Sequence, residues 1–182
     1  RFQVGQRFPR RQQTGEPGEH GHVVRIDAQQ PLAIRHLLVA LERLQQGHRR
    51  FRAGAAPIAE IDHIRREKLT EGQHPVAIVV TCSDSRVAPE HLFDCGLGEL
   101  FVVRVAGNVL DQRVLGSLHY AAEHLPLRCV LVLGHSGCGA VTSAVDLFLA
   151  PGKVLELATE HALRGLLMPL VLTVHSAARM LT

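Results

Sequence analysis

The sequence contains no tryptophan, a single tyrosine and only two lysines among its 182 residues. Hydrophobic residues still make up 46% of the chain, so the core must be aliphatic, built from Leu, Val, Ala and Ile. This length is sufficient for one domain with its own core and short for two. The net charge of +3 is small and carried by scattered arginines, which argues against a nucleic-acid interface.

Long apolar runs are absent too. A membrane-spanning helix requires ~20 apolar residues, and the longest candidate, Leu166 to Val174, is interrupted by Pro169. We therefore expect no direct membrane insertion. The four cysteines follow no secretory signal, and a chain of this size does not need disulfides, which favours the reducing cytoplasm. Because the sequence begins at Arg1 and not at Met, we expect a processed product or part of a longer protein.

Two apolar segments end abruptly in polar, chemically active residues. The first, Pro75 to Arg86 (PVAIVVTCSDSR), is typical of a strand buried on both faces of a parallel sheet. The second, Cys129 to Gly134 (CVLVLG), ends in the same way. Ligands of open α/β sheets bind outside the carboxyl ends of the strands. We therefore expect one rim to carry Cys82, Asp84, Arg86, His135 and Cys138.

The rest of the chain predicts one α/β domain over residues 31–182, with residues 1–30 as a linker or mobile arm. Apolar spacing predicts an amphipathic helix that starts at Pro31 and ends near Gly47, serving either core packing or dimerisation. Strands that alternate with helices predict a mainly parallel sheet flanked by helices. The other predicted elements are helices over Ile58–Leu69, Leu115–His124 and Ala140–Leu149 and a strand over Leu100–Val105.

The signal weakens after Pro151. Lys153 to His161 and Leu163 to Leu181 both predict helices, the second with a break at Pro169, while the segment LLMPLVLTV is alternatively a short strand. No further strand follows in the sequence. The third strand is therefore predicted to be an unpaired edge.

Cys82, His135 and Cys138 have the chemistry of a catalytic zinc site. Such a site holds the ion by three protein ligands, commonly Cys sulfur and His nitrogen, and leaves a fourth position open. Two thiolates with one imidazole favour zinc over magnesium or manganese. Each residue alone has an ordinary alternative, namely buried packing, helix capping or anion binding. A structural zinc site would need a fourth ligand, for which Asp84 is the nearby candidate.

Asp84 and Arg86 are two residues apart, so their side chains point to the same side of an extended segment. The guanidinium keeps the carboxylate ionised and oriented. One interpretation is an ion pair that steadies the turn. The other is that Arg86 draws Asp84 away from the metal, where the carboxylate accepts a hydrogen bond from a metal-bound water.

Five segments of the sequence resemble the β-class carbonic anhydrases. Their order and spacing hold from about Leu37 to Val145, and ALERLQQGHRRF resembles the N-terminal helix signature of that family. The segments are CSDSR at 82–86, GELFVVR at 98–104, AGN at 106–108, GSLHYA at 116–121 and GHSGCGAV at 134–141.

The resemblance implies that Cys82, His135 and Cys138 bind Zn²⁺ and that Asp84 and Arg86 form the catalytic dyad. It implies a substrate pocket from Gln73, Phe101, Ala106, Tyr120 and Gly139. Gln73 and Tyr120 match the plant-like, open-site subtype. The bicarbonate-gated subtype expects Trp where this chain has Val79, and there Asp84 would become the fourth ligand.

The implied activity is zinc-dependent, reversible hydration of CO2 to bicarbonate and a proton, that of a lyase named carbonic anhydrase or carbonate dehydratase. A homodimer or higher homo-oligomer is expected. Two alternatives stay open: a related carbon disulfide or carbonyl sulfide hydrolase, and a non-catalytic zinc- or bicarbonate-binding module of a larger protein such as an anion transporter. The chain departs from the family at Val105, where Asn is frequent, and in lacking the usual last strands, which predicts a C-terminally shortened relative.

Overall fold

The computed structural model describes residues 31–55, 63–127, 129–157 and 159–181. Three strands form the sheet: β1 is Ala77–Thr81, β2 is Leu100–Arg104 and β3 is Val130–Leu133. Both pairings are parallel and the strand order is β2-β1-β3. The predicted α/β class is confirmed, and β3 lies at an edge of the described sheet, as expected.

Helices flank this sheet and alternate with its strands. The bounds are α1 Pro31–Arg52, α2 His63–Lys68, α3 Pro89–Leu92, α4 Gln112–His124, α5 Gly139–Leu149 and α6 His161–Leu181. The local sequence explains where two of these helices begin. Pro89 occupies the first turn of α3, where its missing N–H costs little, and the Asp111 carboxylate accepts hydrogen bonds from the N–H groups of Arg113 and Val114 to cap α4.

The two faces of β1 contribute to two separate apolar clusters. Because side chains alternate along a strand, Ala77 and Val79 pack with Leu44 of α1, whereas Ile78 and Val80 pack beneath α4. All five β1 residues are buried, as predicted for a strand covered on both faces. Burial of one side chain such as Leu44 stabilises the fold by roughly 1.5–3 kcal/mol.

Helix α1 continues to Arg52, so the prediction that it ends near Gly47 is wrong. Gly47 lies against the Phe93 carbonyl, and a Cβ at this position would overlap the carbonyl oxygen. The glycine therefore permits close packing of α1 on the loop after α3 and does not terminate the helix. Arg43 reinforces the same contact by donating hydrogen bonds to the carbonyls of Phe93 and Asp94.

The C-terminal predictions need correction as well. A single helix, α6, runs through Pro169 without a break, and LLMPLVLTV is helical, not a strand. Proline removes one backbone hydrogen bond, but α6 packs along α5 and buries Leu167, which offsets that loss. The helix predicted over Lys153–His161 is instead a 3-10 turn, Pro151–Leu157, that precedes α6.

Some predictions lie outside the described residues. These are the linker or arm at residues 1–30 and the first part of the helix over Ile58–Leu69, whose later part forms α2 and the 3-10 turn Leu69–Glu71. The domain limits of 31–182 stay a prediction. Within the described ranges, no helix combines the length and the apolar character needed to cross a membrane.

Candidate metal centre and active site

Three side chains from the ends of neighbouring strands converge at one rim of the sheet. Cys82 directly follows β1, while His135 and Cys138 lie in the turn between β3 and α5. One ligand atom of each residue lies within 4.8 Å of the others, and the two Sγ atoms are 3.8 Å apart. These three residues therefore converge on one point, as the sequence predicted, and could hold a metal ion there; we call them the metal-binding group.

The turn His135–Cys138 brings two of these ligands to the same side. Gly137 has a φ of 66°, a left-handed conformation that glycine adopts without strain. This conformation reverses the chain between the two ligands. The sequence pattern HSGCG was therefore sufficient to predict the turn.

His135 is oriented for metal binding by its own backbone neighbourhood. Its Nδ1 lies 3.1 Å from the Ser136 carbonyl oxygen, which can only accept, so Nδ1 carries the proton and Nε2 presents a lone pair. Among the described residues, Nε2 is a buried side-chain nitrogen without a hydrogen-bond partner. An unpaired buried acceptor is costly, and the His135 ring lies beside the sulfurs of Cys82 and Cys138. The donor set fits a bound metal ion.

The Cys82 sulfur is stabilised as a thiolate. Burial alone raises the pKa of this thiol, but hydrogen bonds to the sulfur, including the one from the Gly107 N–H, outweigh burial and lower the pKa to about 7. The Gly107 N–H donates to Cys82 Sγ at 3.3 Å. Because the thiolate is the form that ligates metals, these surroundings favour metal binding.

Asp84 and Arg86 form a bidentate pair beside the metal-binding group. Arg86 Nε donates to Asp84 Oδ1 at 2.9 Å and Nη2 donates to Oδ2 at 2.6 Å, while the Arg86 N–H donates to Oδ1 at 3.0 Å. These hydrogen bonds hold the pKa of the Asp84 carboxyl well below its usual range. Arg86 also donates to the Gly137 carbonyl at 3.2 Å, which ties the pair to the ligand turn.

Both oxygens of Asp84 are directed toward Arg86. Oδ2 lies 3.9 Å from His135 Nε2, close to the metal-binding group but beyond hydrogen-bond distance. The Asp84 carboxylate stays anionic and lies next to the point where the three ligand atoms converge. This arrangement suits a group that accepts a hydrogen bond from a metal-bound molecule.

Sequence reasoning missed a second layer of residues behind the ligands, in the segment that follows β2. Arg104 ends β2, and the 3-10 turn Ala106–Asn108 follows it. Gly107 has a φ of 68°, and a Cβ there would lie 2.6 Å from Leu170 Cδ1 of α6. The signal available in the sequence was a charged residue at the end of an apolar strand, followed by Gly and Asn.

Comparison with known proteins agrees with this geometry. The family model described as carbonic anhydrase matches residues 77–171, just over half of the chain and including every member of the metal-binding group. The chain belongs to the β-class carbonic anhydrase family.

Individual carbonic anhydrases show the extent of the similarity. Carbonic anhydrase 2 of Mycobacterium tuberculosis is 47% identical over 110 residues, which cover 59% of this chain and 52% of that protein. The carbonic anhydrase of Mycolicibacterium smegmatis is 49% identical over 110 residues, which cover 60% and 53%. The chain thus spans about half the length of these curated relatives.

Solved β-carbonic anhydrase structures overlap with this fold in part. The β-carbonic anhydrase CcaA has a TM-score of 0.44 and 32% identity, over 69% of this chain and 65% of that chain. A Coccomyxa β-carbonic anhydrase has a TM-score of 0.45 and 27% identity, over 72% and 66%.

The residues predicted to form the substrate pocket lie on several different elements of the chain. Ala106 adjoins Gly107, and Gly139 begins α5 directly after Cys138. Phe101 packs against the cluster beneath α4. Tyr120 is exposed on α4 and stacks on His124 with ring centroids 4.4 Å apart, and Gln73 is exposed before β1. Their assignment to a substrate pocket stays a prediction.

Proposed function

We propose that this chain binds one Zn²⁺ through Cys82, His135 and Cys138 and catalyses the reversible hydration of CO2 to bicarbonate and a proton. The observation that carries the proposal is the convergence of two sulfurs and an unpaired imidazole nitrogen beside the ionised Asp84–Arg86 pair. Two soft thiolates and one imidazole favour zinc over harder divalent ions.

Bound Zn²⁺ would act as a Lewis acid and would lower the pKa of a water molecule that it holds. The chain's own residues then orient that water. Asp84, which Arg86 keeps anionic, would accept a hydrogen bond from that water and orient it toward CO2. The hydrogen bond from Nδ1 to Ser136 orients the His135 ring, so that Nε2 is the nitrogen that would bind the ion. Because two thiolate ligands would offset the charge of the ion, the ion would acidify a bound water less than it does with three imidazole ligands, and we expect activity to rise toward alkaline pH.

For the substrate, the proposal assigns an apolar pocket to Phe101, Ala106 and Tyr120. The Gln73 amide and the Gly139 N–H would hold a CO2 oxygen. The open arrangement, with Asp84 outside the ligand set, is part of the proposal. It is supported by the engagement of both carboxylate oxygens with Arg86.

We further propose a cytoplasmic setting and a homo-oligomer. Leu38 and Val39 on α1 are 55% and 60% exposed, and Val130 on the edge strand β3 is 51% exposed. Apolar side chains on a helix and a sheet edge suit contact with a second copy. No feature of the described residues favours the carbon disulfide or carbonyl sulfide hydrolase, or the non-catalytic module, over CO2 hydration.

The decisive experiment is stopped-flow CO2 hydration with the purified chain, whose zinc content is measured on the same sample. We expect about one zinc per chain and a rate well above that of the buffer. A fully zinc-loaded chain that hydrates CO2 no faster than buffer would refute the activity while leaving the metal site intact.

A further inference from the structure

The strand β2 contributes no metal ligand, yet its end contacts the segment that carries Cys82 and Asp84. Arg104 is half-buried; its Nε donates to the Cys82 carbonyl at 3.0 Å and its Nη2 donates to the Asp84 carbonyl at 2.6 Å. One guanidinium thus holds the backbone at a metal ligand and at the dyad carboxylate. Hydrogen bonds from a charged donor are about twice as strong as neutral ones.

The need for this contact follows from where β1 ends. Thr81 is its last residue paired with both neighbouring strands, so the chain at Cys82 and Asp84 has left the sheet ladder. Backbone carbonyls beyond a ladder need other partners. Arg104 supplies donors to two of them, which restricts the positions that Cys82 Sγ and the Asp84 carboxylate can adopt.

The turn after β2 makes a matching contact on the other ligand strand. Asn108 Nδ2 donates to the Leu133 carbonyl at 2.8 Å, and Thr81 Oγ1 donates to the same oxygen at 3.0 Å. Leu133 ends β3 two residues before His135. Asn108 therefore restrains the end of β3, where the His135–Cys138 turn begins, and Arg104 restrains the backbone that follows β1.

We propose that Arg104 and Asn108 are positioning residues that preset the metal-binding group, Arg104 by holding Cys82 and Asp84 and Asn108 by holding the strand end before His135. The inference rests on the metal site of the proposed function, but not on CO2 as substrate. Neither residue touches the metal. Their effect is to reduce the loss of conformational freedom when the metal binds, and partners of this kind change metal affinity by about 10- to 100-fold.

The test measures zinc affinity by competition with a chromophoric chelator on the full chain. We expect Arg104→Ala to weaken zinc binding by about 10- to 100-fold and Arg104→Lys to weaken it less, because one ammonium reaches one carbonyl. Arg113→Ala, at an exposed arginine on α4, is the matched control and should bind zinc as the wild type does. Zinc affinity in Arg104→Ala equal to that of Arg113→Ala would overturn the role of Arg104.

Asn108→Gly tests the second contact without backbone strain. Asn108 has a φ of 58°, which glycine adopts freely, so this variant removes the amide donor and keeps the turn. We expect zinc affinity to fall by about 10-fold. The absorption spectrum of bound Co²⁺ should broaden or shift in both the Arg104 and Asn108 variants, because the ligands are less fixed around the ion.

A general loss of stability is separated from positioning by Leu44→Ala, which weakens the core under α1 and leaves the rim untouched. Unfolding midpoints of all metal-free variants are measured in parallel. If Leu44→Ala loses as much zinc affinity as Arg104→Ala at an equal midpoint, the positioning role is refuted. If Arg104→Ala does not fold, the positioning role is refuted when both Arg104→Lys and Asn108→Gly keep the zinc affinity and the Co²⁺ spectrum of the wild type.

Two other outcomes concern the proposed function and not the positioning role. A wild-type chain that binds no zinc would refute the metal site. A zinc-bound chain without hydration activity would refute only the proposed reaction.

Discussion

The four cysteines of this chain are equally buried, but two lie at the rim and two lie in the core, and Cys82 at the rim differs chemically from the core pair. Cys82 and Cys138 at the rim are 5% and 8% exposed, and Cys95 and Cys129 in the core under α1 are each 5% exposed. At the rim the pKa of Cys82 is lowered to about 7, whereas burial raises the pKa of Cys95 and of Cys129 to about 11.

The difference lies in the neighbours and not in the degree of burial. The Cys82 sulfur accepts a hydrogen bond from the Gly107 N–H. Cys129 sits in a cluster of Leu, Val and Ala, where no donor offsets desolvation. Burial therefore does not by itself identify a metal-ligating cysteine; at Cys82, the hydrogen bond donated to the sulfur distinguishes it from the core cysteines.

The largest expected effect comes from exchanging one cysteine of each pair. Cys138→Ser should reduce zinc from about one ion per chain to a small fraction, because a catalytic site has only three protein ligands. Cys129→Ser, the matched core variant, should keep its zinc. Elemental analysis after gel filtration checks both. Full zinc occupancy in Cys138→Ser would contradict its assignment as a ligand.

At the rim, we expect metal binding and proton transfer to depend on different residues. Asp84→Ala is expected to keep zinc but lose CO2 hydration by about 100-fold or more, the range for removal of a positioned proton-accepting group. Asp146→Ala, at an exposed aspartate on α5, serves as the control. Stopped-flow hydration on zinc-analysed samples is the measurement, and near-normal turnover in Asp84→Ala would remove Asp84 from the mechanism.

If the core under α1 and the rim are independent, a substitution in the core should lower the stability of the fold without loss of zinc. Leu44 is 3% exposed and packs with the cluster that contains both core cysteines. Leu44→Ala should lower the free energy of unfolding by about 2–5 kcal/mol, as measured by urea denaturation. Loss of zinc from the still-folded variant would show that the two regions are less independent than we infer.

The smallest effect is a pH dependence from the core pair. The pKa of Cys95 and of Cys129 is about 11 in the folded chain against 9.0 for an ordinary thiol. The folded state thus retains protons that the unfolded state releases, so this contribution to stability is complete below pH 9 and is lost as the pH rises toward 11.

Thermal unfolding between pH 8 and about 11 measures this loss. The double variant Cys95→Ala, Cys129→Ala should show a flatter decline than the wild type, although it begins from a lower midpoint. Parallel declines in the two proteins would mean that other groups determine the alkaline limit.

The sequence predicted the sheet and the metal-binding group because both depend on local signals. The run before Cys82 is apolar throughout, and the HSGCG turn places two ligands three residues apart. Such patterns require only that strand ends in a parallel sheet meet at one rim, and the structure confirms that they do.

Long-range contacts account for what the sequence did not predict. Gly47 has the local appearance of a helix end, but its reason for being glycine is the Phe93 carbonyl, 46 residues away. Pro169 has the appearance of a break, but packing on α5 keeps the helix intact. The roles of Arg104 and Asn108 depend on backbone carbonyls of neighbouring strands. Because every residue has such a carbonyl, the sequence does not show which ones are contacted.

The contact between Gly107 and Leu170 restricts substitution at position 107 more than at position 170. Position 107 favours glycine for two independent reasons, its left-handed backbone and the leucine methyl that a Cβ would contact too closely. A smaller residue at 170 removes only the second reason. In descendants of this chain we therefore expect glycine at 107 to stay invariant while position 170 drifts among side chains no longer than leucine.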